Sequence, residues 1–131
     1  MKIKYQYGLL LVDIRITTNG KSKTIKNLVV DTGASKTLIS QNAVDDIGVQ
    51  VEVNDRIVTY YGIGGKEHAF RKKVDEITIG DFSIKNLDID FNDFGYKDIN
   101  GLLGLDVLME AGFKIDLLNL KLEKSSESTN E

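Results

Sequence analysis

Cysteine is absent from this chain. Disulfides, thiolate nucleophiles and cysteine-based zinc sites are therefore excluded. There is a single histidine, His68, so one chain cannot build a multi-histidine metal site. A Ser-His-Asp triad would have to rest on that one residue, and no nucleophile motif accompanies it. His68 reads as an exposed strand residue. No long apolar run is present either. Gly8-Leu9-Leu10-Leu11-Val12 is broken by Asp13 and Arg15, far short of the ~20 residues a membrane helix needs. It is also too short and too soon charged for a signal peptide. The expected setting is the cytoplasm, with no membrane partner. Charge of one sign is lacking too: the net value is −3, which leaves no footprint for nucleic acid. Arg71-Lys72-Lys73 is read as a solvated face. With thiols, histidine clusters and metals set aside, carboxylates are the plausible catalytic groups.

What is present centres on Leu28-Val29-Val30-Asp31-Thr32-Gly33-Ala34-Ser35. Three apolar residues, two of them β-branched, have the composition of a buried strand. That strand ends on a carboxylate. Desolvation and a like-charged neighbour could shift the pKa of such a group. The chain has 131 residues, which favours one domain with its own core. Residues 1–123 are expected to form it, and the Ser/Glu/Lys/Asn-rich residues 124–131 to form a polar, flexible tail.

Most of the chain has strand patterning. Residues 3–18 read as one half-buried strand, with Leu10, Val12, Ile14 and Ile16 on one face and Asp13, Arg15 and Thr17 on the other. Asn19-Gly20 predicts a hairpin, and Lys23 to Val30 is the return strand. Lys36 to Ile39 is a short strand. Ser40 is a candidate N-cap for a two-turn helix over Gln41 to Ile47, closed by Gly48. Val49 to Val53 reads as extended. Arg56 to Tyr61 and Lys66 to Val74 form a long hairpin, whose tip Gly62-Ile63-Gly64-Gly65 has little stiffness. Such hairpins often act as lids. Gly80-Asp81 is a second turn signal. Beyond it Leu87, Ile89 and Phe91 share one face, with Asp88 and Asp90 opposite. Residues 92–98 read as a loop. Leu105, Leu108 and Met109 recur at helical spacing, and Gly112 can close that helix. Phe113 and Ile115 alternate, and Leu118, Leu120 and Leu122 alternate one residue out of phase. A turn is therefore placed near Leu117-Leu118-Asn119.

Three blocks, in order, carry a family resemblance. They are Val29-Val30-Asp31-Thr32-Gly33-Ala34-Ser35 with Leu38-Ile39-Ser40, the glycine-rich hairpin at 62–65, and Asn100-Gly101-Leu102-Leu103-Gly104-Leu105-Asp106-Val107-Leu108 with Phe113-Lys114-Ile115-Asp116. Over residues 8–123 the chain resembles the retropepsin-like aspartic proteases, in particular their single-domain cellular and bacterial branch. The resemblance implies an all-β fold: a retropepsin-like acid protease half-barrel with a flap hairpin and one or two short helices. It implies an aspartic endopeptidase that acts on an extended peptide or protein substrate and needs neither cofactor nor metal. One Asp-Thr-Gly per chain implies a homodimer. Independently of the family, two carboxylates sharing one proton can supply acid and base together, and one Asp31 per chain then calls for two chains.

Roles are implied residue by residue. Asp31 is the catalytic carboxylate. Thr32 braces the two active-site loops across the two-fold axis. Gly33 offers its amide to the carboxylate. Ala34 stands where pepsin-like relatives carry Ser; with that hydroxyl bond to the ionised form missing, the dyad is expected to titrate higher. The optimum should then be weakly acidic to near neutral. Tyr60, Tyr61, Gly62, Ile63, Gly64 and Gly65 would close over the substrate, with either tyrosine facing inward. Leu102, Leu103 and Gly104 would back the Asp31 loop. Leu105 departs from the Arg of the retroviral enzymes, so a retroviral-style dimer contact is not expected there. The alternative reading is a non-catalytic peptide-binding or assembly module with the same fold.

Overall fold

The computed structural model describes residues 1–62, 65–93 and 98–125. Ten strands and two short helices follow the patterning above. β1 (Lys4–Gln6) and β2 (Leu9–Thr18) form a hairpin, and β3 (Lys21–Val30) returns along β2. The single strand expected over 3–18 is therefore two. Tyr7 and Gly8 both adopt positive φ (59° and 72°), the backbone of a tight two-residue hairpin turn. Asn19 and Gly20 make the predicted turn with the same signs of φ.

β4 (Leu38–Ser40) leads into α1 (Gln41–Val44) and a 3-10 turn over Asp45–Ile47 that ends at Gly48, φ 83°. The expected helix is thus half α and half 3-10, and the Ser40 side chain does not cap it. Residues 49–53 form no strand. They lead into a turn in which Asp55 accepts the Glu52 N–H at 2.7 Å and a bond from Lys72 Nζ at 3.1 Å. β5 (Arg56–Gly62) and β6 (Gly65–Ile79) make the long hairpin, and β7 (Phe82–Asn92) returns along β6. After β8 (Gly101–Leu103), α2 (Leu105–Ala111) ends at Gly112, φ 63°. β9 (Phe113–Asp116) and β10 (Lys121–Lys124) form a separate hairpin. Its turn is held by Asp116, which accepts two bonds from Asn119 at 3.0 Å. Leu118, in that turn, is 90% exposed, whereas Leu122 is buried. β10 runs to Lys124, and residues 126–131 of the expected tail lie outside the described residues.

The main sheet runs in the order β1-β2-β3-β8-β4-β7-β6-β5, and β2 also pairs with β6. That extra pairing, Ile16 opposite Ile77, curls the sheet back on itself and encloses the core. Val12, Ile14, Ile16, Ile25, Leu28, Val74, Ile77, Ile89 and Phe91 meet there. Two pairings in this sheet are parallel: β3 with β8 and β4 with β7. Together they bring the ends of four distant strands to one place, and Asp31 lies at the end of the first.

Candidate active site

Asp31 follows directly on β3, whose pairing fixes its position. Val29 lies opposite Leu102 and Val30 opposite Leu103, and the Asp31 N–H donates to Leu103 O at 3.0 Å. The next residues form a tight loop. Gly33 N–H donates to Asp31 Oδ1 at 2.9 Å, and Ala34 N–H to Asp31 O at 3.1 Å. Asp31 is thus half-buried with one carboxylate oxygen already oriented. A Cβ at Gly33 would stand 3.2 Å from that oxygen, so any side chain there would crowd the carboxylate.

The loop is held from behind by the start of α2. Leu105 N–H donates to Ala34 O at 2.8 Å and Asp106 N–H to Ser35 O at 3.2 Å. Gly104 fits because it has no Cβ: one would lie 2.6 Å from the Lys36 carbonyl carbon and 2.9 Å from Ala34 O. Leu102, Leu103 and Gly104 therefore lie directly against the Asp31 loop. Two further residues that sequence reasoning missed complete the support. Thr37, fully buried, donates its hydroxyl to Asp106 Oδ1 at 2.7 Å and accepts the Gly104 N–H at 3.0 Å. Its own N–H donates to Asp106 Oδ2 at 3.0 Å. The available signal was an Asp in the first turn of a helix that starts just after a glycine.

Gly33 and Ala34 open onto a cleft of about 690 Å³, lined also by Leu38 and Leu102, by Tyr60 and Glu67 of the hairpin, and by Asn92 and Asp93. The hairpin thus forms one wall of the cleft. The two tyrosines differ sharply. Tyr60 is half-buried and its hydroxyl donates to Asp90, whereas Tyr61 is 77% exposed. Gly65 lies at the β6 end of the tip, while Ile63 and Gly64 fall outside the described residues. Thr32 is exposed and lines a different groove, shared with Leu105, Met109 and Ile115.

Asp90 takes the face opposite Ile89 and Phe91, as the alternation predicts, but that face is not open to solvent at this position. Asp90 is fully buried. Arg71 Nε donates to its Oδ1 at 2.7 Å and Arg71 Nη2 to its Oδ2 at 3.1 Å. Alternation along β7 does set Asp90 opposite Ile89 and Phe91, but the face it occupies is covered by β5 through Tyr60. Burial, then the bond to Asp90 and its charge, pushes the Tyr60 phenol far above its ordinary 10.0. The bond to Asp90 raises the Arg71 guanidinium, so it stays charged at any working pH. Among the described residues no group of three His, Asp or Glu side chains could hold a metal ion.

A family model described as aspartyl protease matches residues 12–107, from β2 into α2. The chain belongs to the aspartyl protease family. A crystal structure of a retropepsin-like aspartic protease from Rickettsia conorii has the same fold, with a TM-score of 0.65 over 88% of this chain and 83% of that one at 24% identity. No curated protein matches the chain in sequence. The retropepsin-like fold and the family are thereby in place. No helix among the described residues is long and apolar enough to cross a membrane.

Proposed function

We propose that the chain is an aspartic endopeptidase that works as a homodimer on extended peptide segments, with Asp31 of each subunit forming the catalytic pair. The observation that carries the reading is the loop itself: a half-buried carboxylate with one oxygen oriented by Gly33 N–H at 2.9 Å, beside a cleft of about 690 Å³. The sequence holds one Asp-Thr-Gly, so the second carboxylate comes from a second copy. Thr32 and the exposed side chain of Met109 lie together on the face that such a copy would cover.

In this mechanism one Asp31 is ionised and its counterpart protonated, because two neighbouring carboxylates cannot both ionise readily. The ionised Asp31 takes a proton from water as the water oxygen bonds to the carbonyl carbon. The protonated one gives its proton to the carbonyl oxygen. The first Asp31 then gives its proton to the amide nitrogen while a hydroxyl of the gem-diol returns a proton to the second, the C–N bond breaks, and carboxylic acid and amine leave. Thr32 braces the two loops, Gly33 holds the carboxylate, and Ala34 supplies no hydroxyl to favour ionisation. Leu102, Leu103 and Gly104 back the loop. The segment from Tyr60 to Gly65 acts as a flap that adds backbone hydrogen bonds to the peptide and sheds water. Residues 1–123 are taken as the protease domain and the setting as cytoplasmic.

The Asp31→Asn substitution tests this. Cleavage of a fluorogenic peptide should fall by at least about 10³-fold, while a statine-type transition-state mimic still binds the folded dimer. The pH–rate profile of the wild type should peak between weakly acidic and neutral pH, and a peak below about pH 3 would contradict the role given to Ala34. A wild type that is active while monomeric by solution mass overturns the dyad, and so does an Asn variant that cleaves as well as wild type. Peptide binding without cleavage by the wild type would instead identify a binding module.

A further inference from the structure

Asp90 is the only charged side chain buried outright among the described residues, and its partners come from three strands. Arg71 of β6 grips both carboxylate oxygens. The Tyr60 hydroxyl of β5 donates to one of them. On the other side the Asp90 N–H donates to Thr37 O at 3.3 Å, and Leu38 pairs with Asp90 in parallel register. Asp90 therefore sits between the catalytic loop, through Thr37, and the hairpin wall of the cleft, through Tyr60. Apolar side chains could bind three strands together at least as strongly as a buried ion pair does. What they lack is direction. A carboxylate with a bidentate guanidinium fixes where the remaining donor must point. Here that donor is the phenol whose ring lines the cleft beside Leu38 and Leu102.

We propose that Asp90 and Arg71 are positioning residues for peptide binding: they fix the Tyr60 phenol and so set where the β5 wall stands over the Asp31 loop. β5 is an edge strand paired only with β6, and Ile57 and Tyr61 on it are exposed. The Tyr60–Asp90 bond ties β5 to the body. The kinetic part of this inference rests on the endopeptidase reading, whereas the anchoring part does not.

Tyr60→Phe is the mildest test, because it keeps the ring and removes only the hydroxyl. Amide hydrogen exchange would be followed by mass spectrometry over residues 56–61 and, as a control, over residues 25–30 of β3. Exchange over 56–61 should quicken about tenfold, the scale of one hydrogen bond to a charged acceptor, with residues 25–30 unchanged. With a fluorogenic peptide, KM should rise by about fivefold or more while kcat stays within about twofold, as expected when a binding wall loosens and the chemistry is intact. Asp90→Asn should move both readouts further in the same direction, and Arg71→Lys, which keeps charge but not the fork, should fall between. Unchanged exchange over 56–61 together with an unchanged KM would overturn the proposal. So would exchange that quickens equally in both segments with a lowered melting midpoint, since that is a general fold contribution. Should the wild type cleave no peptide, the endopeptidase reading fails by itself. The anchor is then decided by exchange and by the Kd for a statine-type peptide.

Discussion

Around Asp31 the chain is clamped repeatedly from behind, whereas β5 is an edge strand whose Tyr60 hydroxyl donates to Asp90 of the body. The Asp31 loop receives backbone bonds from β8 and α2, and a buried Thr37 joins Gly104 and Asp106 beneath it. β5 has its ladder to β6 on one side only, exposed Ile57 and Tyr61, and the Tyr60–Asp90–Arg71 cluster at its inner face. A catalytic carboxylate needs an orientation held before substrate arrives. On the endopeptidase reading proposed above, the wall over the Asp31 loop has to open to admit and release a peptide. Redundant support suits the first, and a directional tie such as Tyr60–Asp90 suits the second.

The same substitution in the two regions tests that contrast. Gly104→Ala would drive a Cβ to 2.6 Å from backbone that is itself bonded in place, and should lower unfolding stability by about 3 kcal/mol in urea denaturation. Gly65→Ala meets nothing within 4 Å but carries φ 109°, so its effect should be about 1 kcal/mol of backbone strain. Equal losses would erase the distinction. Thr37→Val lies between the two. It preserves shape but leaves Gly104 N–H and an Asp106 oxygen without their partner, which should remove about 2 kcal/mol and reduce activity through the loop.

The smallest effect concerns acid stability at the base of the hairpin. Burial pushes Asp55 upward, but bonds from Lys72 and the Glu52 N–H, with the charge of Lys72, together hold it below its ordinary 3.8. A carboxyl lowered on folding contributes stability that is present above 3.8 and is lost as pH falls through the lowered value. Melting midpoints of wild type and Asp55→Asn should therefore differ near neutrality and converge as the pH drops below about 3.8. A gap that persisted at the lowest pH would show that shape, and not charge, makes the strap.

Much of this contrast could be read from the chain, and the unread part has a common cause. Asp31, its strand and the backing glycine were legible because each is a local pattern: an apolar run, a turn, a helix start. Asp90 was not, because period-two alternation tells which face a residue takes and not what lies over that face. Counting back from the Gly80-Asp81 turn would have set Arg71 opposite Asp90 and Lys73 opposite Asp88, two opposite-charge pairs across strands. Tyr60 of β5 and the neighbouring strand β4 separate the buried pair from the exposed one. Tyr60 and Tyr61 were indistinguishable for the same reason. The Tyr7-Gly8 turn was missed because Tyr is an unusual residue at positive φ, and the apolar run after it read as continuous strand.

The parallel pairing of β3 with β8 also has a consequence in time. Val29 and Leu102 are far apart in the chain yet adjacent in the sheet. Non-local pairings of this kind form late in folding. During synthesis Asp31 leaves the ribosome long before Gly104, so the nascent chain exposes its carboxylate on an unsupported loop. The supported loop comes into being only once β8 and the start of α2 have also been made, and the order of residues along the chain thus delays that loop until its backing is present.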